Sequence, residues 1–211
     1  MKLESLYNSE MQGIDPLFDH FAWTDPWAYA NWCAQTYFFV SHSTRLLSLV
    51  AAYTKIEDPS GIHHRFLKHS VEESGHEKVI LRDLQSINYK IENFQELSET
   101  KNFYQPQYYL IQHVQPSSFL GYILFLEGLA VQQADRLSQI ITKTYGSKAA
   151  TFINLHGGED PSHLKKAFEL IATLPASEVE IIKENLSRSC ATYTTILKQI
   201  SFLSQKKKEA A

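Results

Sequence analysis

Proline and glycine punctuate this chain at wide intervals, and the stretches between them repeat apolar residues at steps of three and four. With only 7 Pro and 8 Gly in 211 residues, long uninterrupted segments carry that period, which belongs to α-helices that bury one face. No alternating run flanked by hairpin turns occurs, and no internal repeat. Asp25-Pro26 predicts a capped start for a helix reaching about Thr54. Asp58-Pro59-Ser60 restarts a second helix, carrying Ile62 to about Tyr89. Lys90 to about Gln105 is polar and reads as a loop with one helical turn, followed by a short segment from Tyr108 to His113. Pro116-Ser117-Ser118 opens the most apolar helix, which ends at Tyr145-Gly146. A further helix runs from Ser147 to His156, where Gly157-Gly158 interrupts it. Asp160-Pro161 begins the next, and Pro175-Ala176-Ser177 the last. Six or seven helices with short connections predict an all-α bundle. The expected organisation is one domain over residues 1–211, with an N-terminal extension over 1–25 and a frayed basic tail over 204–211.

Composition narrows the function classes. A hydrophobic fraction of 44% with 20% charged residues suits a globular core, and a net charge of -3 offers no basic field to hold nucleic acid. The two cysteines, Cys33 and Cys190, form no close pair, so neither a disulfide scaffold nor a cysteine zinc site is expected. MKLESLYNSE contains no apolar signal-peptide core. The longest apolar run, Phe119 to Val131, is too short to span a bilayer and includes Glu127. The expectation is a cytoplasmic protein with neither nucleic-acid nor membrane partners.

Three polar clusters interrupt the apolar stripes. On the second helix the stripe passes through Ile62, Phe66, His69, Glu73, His76, Ile80, Leu84 and Ile87, apolar at both ends and ionisable in the middle, with Glu72 at its edge. Burying three such groups is costly unless something compensates them. A divalent cation does so, and so does a Glu hydrogen-bonded between two core histidines. In FLGYILFLEGLAV (Phe119 to Val131) the sole charge is Glu127, on a face shared with Leu120, Ile123, Leu124, Val131 and Ala134; an inward carboxylate neutralises or finds a cation. Gly128 beside it leaves room for a neighbouring backbone. The third cluster, His156-Gly-Gly-Glu-Asp160-Pro-Ser-His163, places two His and one carboxylate at i, i+4 and i+7, a recurrent iron set, although Asp160 can equally cap a helix begun by Pro161. Together the clusters match metal sites in bundles, which draw carboxylates and His from several facing helices, Glu-x-x-His pairs such as Glu73-Ser-Gly-His76 among them.

Three segments, HSVEESGHEKVILRDL (His69 to Leu84), FLEGLAVQQADRL around Glu127, and HGGEDPSHLKKAFELI (His156 to Ile171), resemble in order and separation the haem-oxygenase-like di-iron oxidases, or iron-containing redox enzymes. The likeness covers about Tyr29 to Thr173. It implies a seven-helix haem-oxygenase-like bundle and an O2-dependent non-haem iron oxidoreductase. The cofactor implied is Fe(II), two per chain, and the partners are O2 and a small molecule such as a fatty or aromatic acid or an amino-acid derivative. A homodimer is compatible with it. By the same resemblance His76, Glu127, His156, Asp160 and His163 are iron ligands. Some members carry Glu seven residues before the first of these, where this chain has His69; others carry it three residues before, which is Glu73 here. The resemblance therefore implies Glu73 as the remaining ligand, with His69 as an extra ligand or its hydrogen-bonding partner.

Glu72, Asp83 and Glu159 are candidates to orient ligating imidazoles, though each reads more readily as a solvated acid. Trp32, Tyr37, Phe38, Phe39 and Tyr53 on the first helix read as core first and as pocket wall second. His42 is a possible ligand that its polar flank, Ser41 and Ser43, argues against; His63 and His64 read as surface groups, and both cysteines as packing residues. The alternatives are a metal-free relative on the same bundle, thiaminase-like or quinone-cofactor-forming, and a non-catalytic protein that binds a metal or ligand. A haem oxygenase proper would need the space these carboxylates occupy.

Overall fold

The computed structural model describes residues 1–57 and 59–210; within them the side chains of residues 159–161 lie outside the description. Nine α-helical segments occur among the described residues: α1 (Leu3–His20), α2 (Pro26–Val40), α3 (Ser43–Tyr53), α4 (Ile62–Glu72), α5 (His76–Ser86), α6 (Ser98–Tyr109), α7 (Phe119–Tyr145), α8 (Thr151–Ile171) and α9 (Ala176–Glu209). No strand occurs among these residues. Only Ser41-His42 separates α2 from α3, and only Glu73-Ser74-Gly75 separates α4 from α5. Counted as two broken helices, these pairs reduce the nine segments to the seven helices of the anticipated all-α bundle.

Local chemistry explains several ends. Asp25 Oδ1 accepts the N–H groups of Trp27 at 2.9 Å and Ala28 at 3.0 Å, and Pro26 takes the first helical position of α2. Ala28 through Thr36 are all buried, so α2 runs through the interior. α7 lies against α8 and α9, while α9 also meets α1, α2 and α6. Tyr29 donates its hydroxyl hydrogen to the Ala149 carbonyl at 2.6 Å, and Trp32 Nε1 donates to the Tyr193 hydroxyl at 2.9 Å. These two bonds pin α2 to the start of α8 and to α9.

Six sequence expectations change. The first helix, expected to run to about Thr54, breaks at Ser41-His42 into α2 and α3. The second helix is broken: Gly75 takes φ +96°, a left-handed conformation that side chains disfavour, and α5 restarts there. The region read as a loop from Lys90 to Gln105 holds most of α6, which runs on to a π turn at Leu110–Val114. α8 is continuous through Gly157-Gly158 and Pro161. A Cβ at Gly157 would collide with Ala134 on α7, so close packing of α7 on α8 offsets the low helix propensity of glycine there. The stretch expected as an N-terminal extension contains α1, with Met11, Ile14 and Phe18 buried. The tail expected to fray is helical to Glu209, and Lys208 Nζ lies 2.5 Å from Asp25 Oδ2. Asp58, expected to help start the second helix, lies outside the described residues.

Asp83 differs more sharply from its reading as a surface acid. It is fully buried, and its Oδ2 accepts the Phe152 N–H at 2.7 Å. A side chain of α5 thereby caps the first turn of α8, the helix bearing His156 and His163. Burial raises the Asp83 carboxyl to about 6, against the lowering influence of the Phe152 and Thr151 donors.

Two predictions follow from this packing. A Cβ at Gly121 would run into the Ile182 carbonyl oxygen and the Leu186 amide nitrogen of α9. Gly121→Ala should therefore destabilise the fold by about 3 kcal/mol, read as a lowered midpoint in urea unfolding. The second concerns pH. Asp83 ionises near 3.8 in the unfolded chain and near 6 in the fold, so between those values the folded chain holds a proton the unfolded chain has released. The stability contributed by the neutral carboxyl is complete below the unfolded value and is lost as pH rises through the folded one. Asp83→Asn cannot ionise yet can still accept from Phe152. Its stability relative to the parent should rise between about pH 4 and pH 7 by an amount on the order of 2 kcal/mol, followed by thermal unfolding. A constant difference across that range would mean the buried carboxyl is already ionised at the acid end.

Candidate metal centre

The break between α4 and α5 sets the geometry of the polar cluster. Glu73 is the C-cap of α4 at φ -73° and ψ -6°, two residues before Gly75 reverses the chain into α5. From that corner the Glu73 carboxylate meets both flanking helices. Oε1 lies 3.5 Å from His69 Nε2 on α4, and Oε2 lies 3.2 Å from His76 Nδ1 on α5. α7 contributes Glu127, whose Oε1 is 3.9 Å from His69 Nε2. α8 contributes two imidazoles, with His156 centred 5.0 Å from His76 and His163 centred 4.8 Å from His69.

Two donor groups result, His69 with Glu127 and His163, and Glu73 with His76 and His156. Within each, one ligand atom per residue lies within 4.8 Å of the others. Six of the seven residues singled out from the sequence thus converge; the side chain of the seventh, Asp160, lies outside the described residues. Among the described residues His156 and His163 fall in different triads. Seven residues of continuous helix separate them by about 10 Å along the axis, and each joins a different group. Glu73 and His69 likewise both take part, one in each group and in contact with each other.

The electrostatics follow from burial. His69, His76 and Glu127 are buried, at 6%, 8% and 4% exposed. Burial alone would raise the Glu73 carboxyl, but hydrogen bonds from His69 and His76, with the nearby His156, outweigh it and hold the group well below the usual carboxylate range. Neighbours fix the imidazoles. Phe152 packs against His156 with ring centres 4.4 Å apart. Glu72 Oε2 sits 3.5 Å from His163 Nε2 while Oε1 faces Lys68 at 3.7 Å. Arg65 donates to the His163 carbonyl at 3.2 Å. Glu72 is exposed, as its reading as a solvated acid has it, yet lies beside a candidate ligand, whereas the side chain of Glu159 lies outside the described residues.

Tyr7 of α1 was not anticipated. Its phenol occupies the space beside Gly128 where a Cβ would sit, so the glycine admits a ring and not the expected backbone. Burial, and then the Glu127 charge, push the Tyr7 hydroxyl up to about 12. A glycine following an inward Glu signals close approach, but nothing in the sequence says from which segment. On the Glu127 face Leu120, Ile123, Leu124 and Ala134 are buried as expected, while Val131 is 42% exposed.

A cavity adjoins the cluster, reaching His69, Glu73, Glu127 and His156 and walled mainly by apolar side chains, Trp32, Phe39, Phe119 and Tyr122 among them. Of the first-helix aromatics, Trp32 and Phe39 therefore form the wall, Tyr37 and Phe38 are partly buried, and Tyr53 is exposed. His42 lies outside the cluster, with Nδ1 2.7 Å from the Tyr108 hydroxyl. His63 Nδ1 lies 2.8 Å from the Ala51 carbonyl, and His64 is exposed. Both cysteines are buried; burial pushes the Cys33 thiol well up and the Cys190 thiol to about 12. No helix among the described residues is long and apolar enough to cross a membrane.

The sequence profile of the iron-containing redox enzyme family matches residues 30–193. Among solved structures, a domain of unknown function with a heme oxygenase-like fold from Shewanella denitrificans is 20% identical with a TM-score of 0.86, covering 100% of this chain and 97% of its own. A TenA homolog from Pseudomonas syringae pv. tomato is 11% identical with a TM-score of 0.76, covering 95% of each chain. At these identities the likeness is one of fold, and the bundle is haem-oxygenase-like. No curated protein matches the chain. With the profile spanning most of its length, the chain belongs to the family of iron-containing redox enzymes.

Proposed function

We propose that the chain is a non-haem iron oxidase that holds two irons and uses dioxygen to transform a small organic molecule seated in the apolar cavity. The observation that carries this reading is the pair of His and carboxylate triads joined through Glu73 at the cavity wall. The donor set fits the metal: imidazole and carboxylate suit ferrous iron, and a cation would compensate the negative charge that Glu73 and Glu127 bring out of water. His69, Glu127 and His163 would hold one ion, and Glu73, His76 and His156 the other.

When bound, iron supplies the dioxygen binding and single-electron chemistry that side chains lack. The chain supplies the rest. Glu73 turns one oxygen toward each triad and so fixes their separation. Phe152 restricts the His156 ring and Glu72 the His163 ring, which keeps donor nitrogens oriented. The apolar wall, with Phe119 and Tyr122 on α7 and Trp32 and Phe39 on α2, excludes water and presents the substrate to the donor groups. A thiaminase-like, metal-free activity would call for a nucleophile in the cavity, and neither Cys33 nor Cys190 is part of its wall.

Anaerobic reconstitution with Fe(II) should load two irons per chain, one for each triad. His76→Ala and His163→Ala should each lower the content to about one, because each removes a ligand from a different group. His63→Ala should leave it unchanged, since His63 engages the Ala51 carbonyl away from both groups. Elemental analysis with Mössbauer spectroscopy counts the metal, and protein that stays metal-free after careful reconstitution would overturn the reading.

Iron-loaded protein should also consume dioxygen in the presence of a reductant, followed with an oxygen electrode, and the rate in His76→Ala should fall at least about tenfold. Full iron content with no oxygen uptake under any reductant would assign the centre to binding or storage.

A further inference from the structure

A polar groove between α4 and α8 reaches the first triad from outside the apolar cavity. Arg65, Lys68, His69 and Glu72 line it from α4, and His163 and Lys166 from α8. Among the described residues, His69 is the one that lines both spaces, so a molecule in the groove meets the triad without entering the cavity. Three cations and one carboxylate face this groove. The carboxylate is already engaged, since Glu72 turns Oε1 to Lys68 at 3.7 Å and Oε2 to His163 at 3.5 Å. Arg65 and Lys166 have no carboxylate within ion-pairing distance among the described residues. Arg65 is half-buried. Its Nη2 donates to the His163 carbonyl at 3.2 Å and its Nε is enclosed without a partner, so the Nη edge is what the fork offers to the groove. Burial works against its charge, and Glu127, Glu72 and Glu169 support that charge from beyond pairing distance. A guanidinium taken partly out of water with only distant counter-charges gains from an anion that can reach it.

We propose that the groove is a second ligand site, which takes a small oxyanion, the carboxylate or phosphate of a water-soluble molecule, on the Arg65 guanidinium and the Lys166 ammonium. The chemistry of the two groups sets the class. A guanidinium edge presents parallel N–H groups that match two oxygens of one carboxylate or phosphate, and a lysine adds a point charge. The helix register brings the two cations to one place. Arg65 touches the His163 carbonyl, and Lys166 stands one turn further along α8 on the same face as His163. Lys68 stands one turn beyond Arg65 on α4 and balances Glu72, which leaves Arg65 and Lys166 for the ligand. A neutral molecule would gain nothing from either group, and a cation would meet both. The site is separate from the apolar cavity, so the chain has two ligand spaces of opposite character that adjoin at His69. Neither Arg65 nor Lys166 is a metal donor, and the inference stands apart from the oxidase reading.

The test titrates the purified full chain, free of metal, with inorganic phosphate and with glutarate at constant ionic strength, followed by calorimetry and by the NMR signal of the Arg65 side chain. At least one anion should bind with a Kd of about 1 mM or tighter and move that signal, and the tighter of the two names the class of the ligand. Lys166→Glu should weaken binding about tenfold, and Arg65→Gln at least as much. Lys165→Glu is the control. It makes the same change in net charge one residue away, on a lysine that pairs with Glu169 at 3.9 Å and does not line the groove, and it should leave the affinity within about twofold because salt screens distant charges. Saturable binding of neither anion, an equal loss in the two lysine variants, or binding that leaves the Arg65 signal in place would each overturn the proposal. Lys165 and Lys166 are both exposed, so their comparison decides the matter even if Arg65→Gln fails to fold. Iron loading is measured separately, so the two readings can fail independently.

Discussion

Taking a carboxylate out of water inside a helical core is costly unless both of its oxygens are met by donors or cations. Glu73 is met on both sides because it stands at a corner, with His69 behind it on α4 and His76 ahead of it on α5. In a straight helix the two imidazoles would lie a turn to either side of one carboxylate on a single face. The left-handed Gly75 breaks that line and lets α5 set off afresh, so that His76 meets His156 while His69 meets His163. α8 must then be straight enough to serve both. It is held so by a buried acid of α5 at its first turn and by Ala134 of α7 packed against Gly157.

Much of this was legible in the sequence because burial leaves a periodic trace. The apolar ends of the second-helix stripe, Ile62, Phe66, Ile80 and Leu84, are buried, and so are His69 and His76 between them. The inward Glu of α7 was legible because no other charge shares its apolar run. Asp25-Pro26 and Pro175-Ala176 mark real helix starts, since capping and a fixed φ act locally. The break at Glu73 to Gly75 was not legible: apolar spacing on either side stays in phase, and a glycine inside a helical pattern does not announce a left-handed turn. The continuity of α8 was hidden for the opposite reason. Gly157, Gly158 and Pro161 disfavour helix locally, but packing between helices overrides propensity.

Contacts between distant segments left no trace at all. Asp83 looks like an ordinary surface acid until α8 arrives to be capped by it, and Tyr7 belongs to a stretch with no chemical signature of its own. The same limit applies to the cavity, whose wall collects side chains from α1, α2, α3, α4, α7, α8 and α9. Aromatic content hinted at such a space. Its position beside four of the converging donors depends on how these separated helices close around one another.

Asp25 shows how far such closure extends. Its Oδ1 caps the first turn of α2, while its Oδ2 receives the Ser204 hydroxyl at 3.1 Å and Lys208 Nζ at 2.5 Å from the end of α9. α9 is 34 residues long, about 50 Å at helical rise, and its other end is held by Glu178, which accepts from Ser117 at 2.5 Å. A helix secured at both ends opens less readily from its terminus than one that hangs free. One carboxylate also makes two distant turns share a fate. Opening the last two turns of α9 releases half the contacts of the side chain that caps Trp27 and Ala28, so solvent exchange at those two amides and at the C-terminal turns should belong to one cooperative unit of the native-state ensemble.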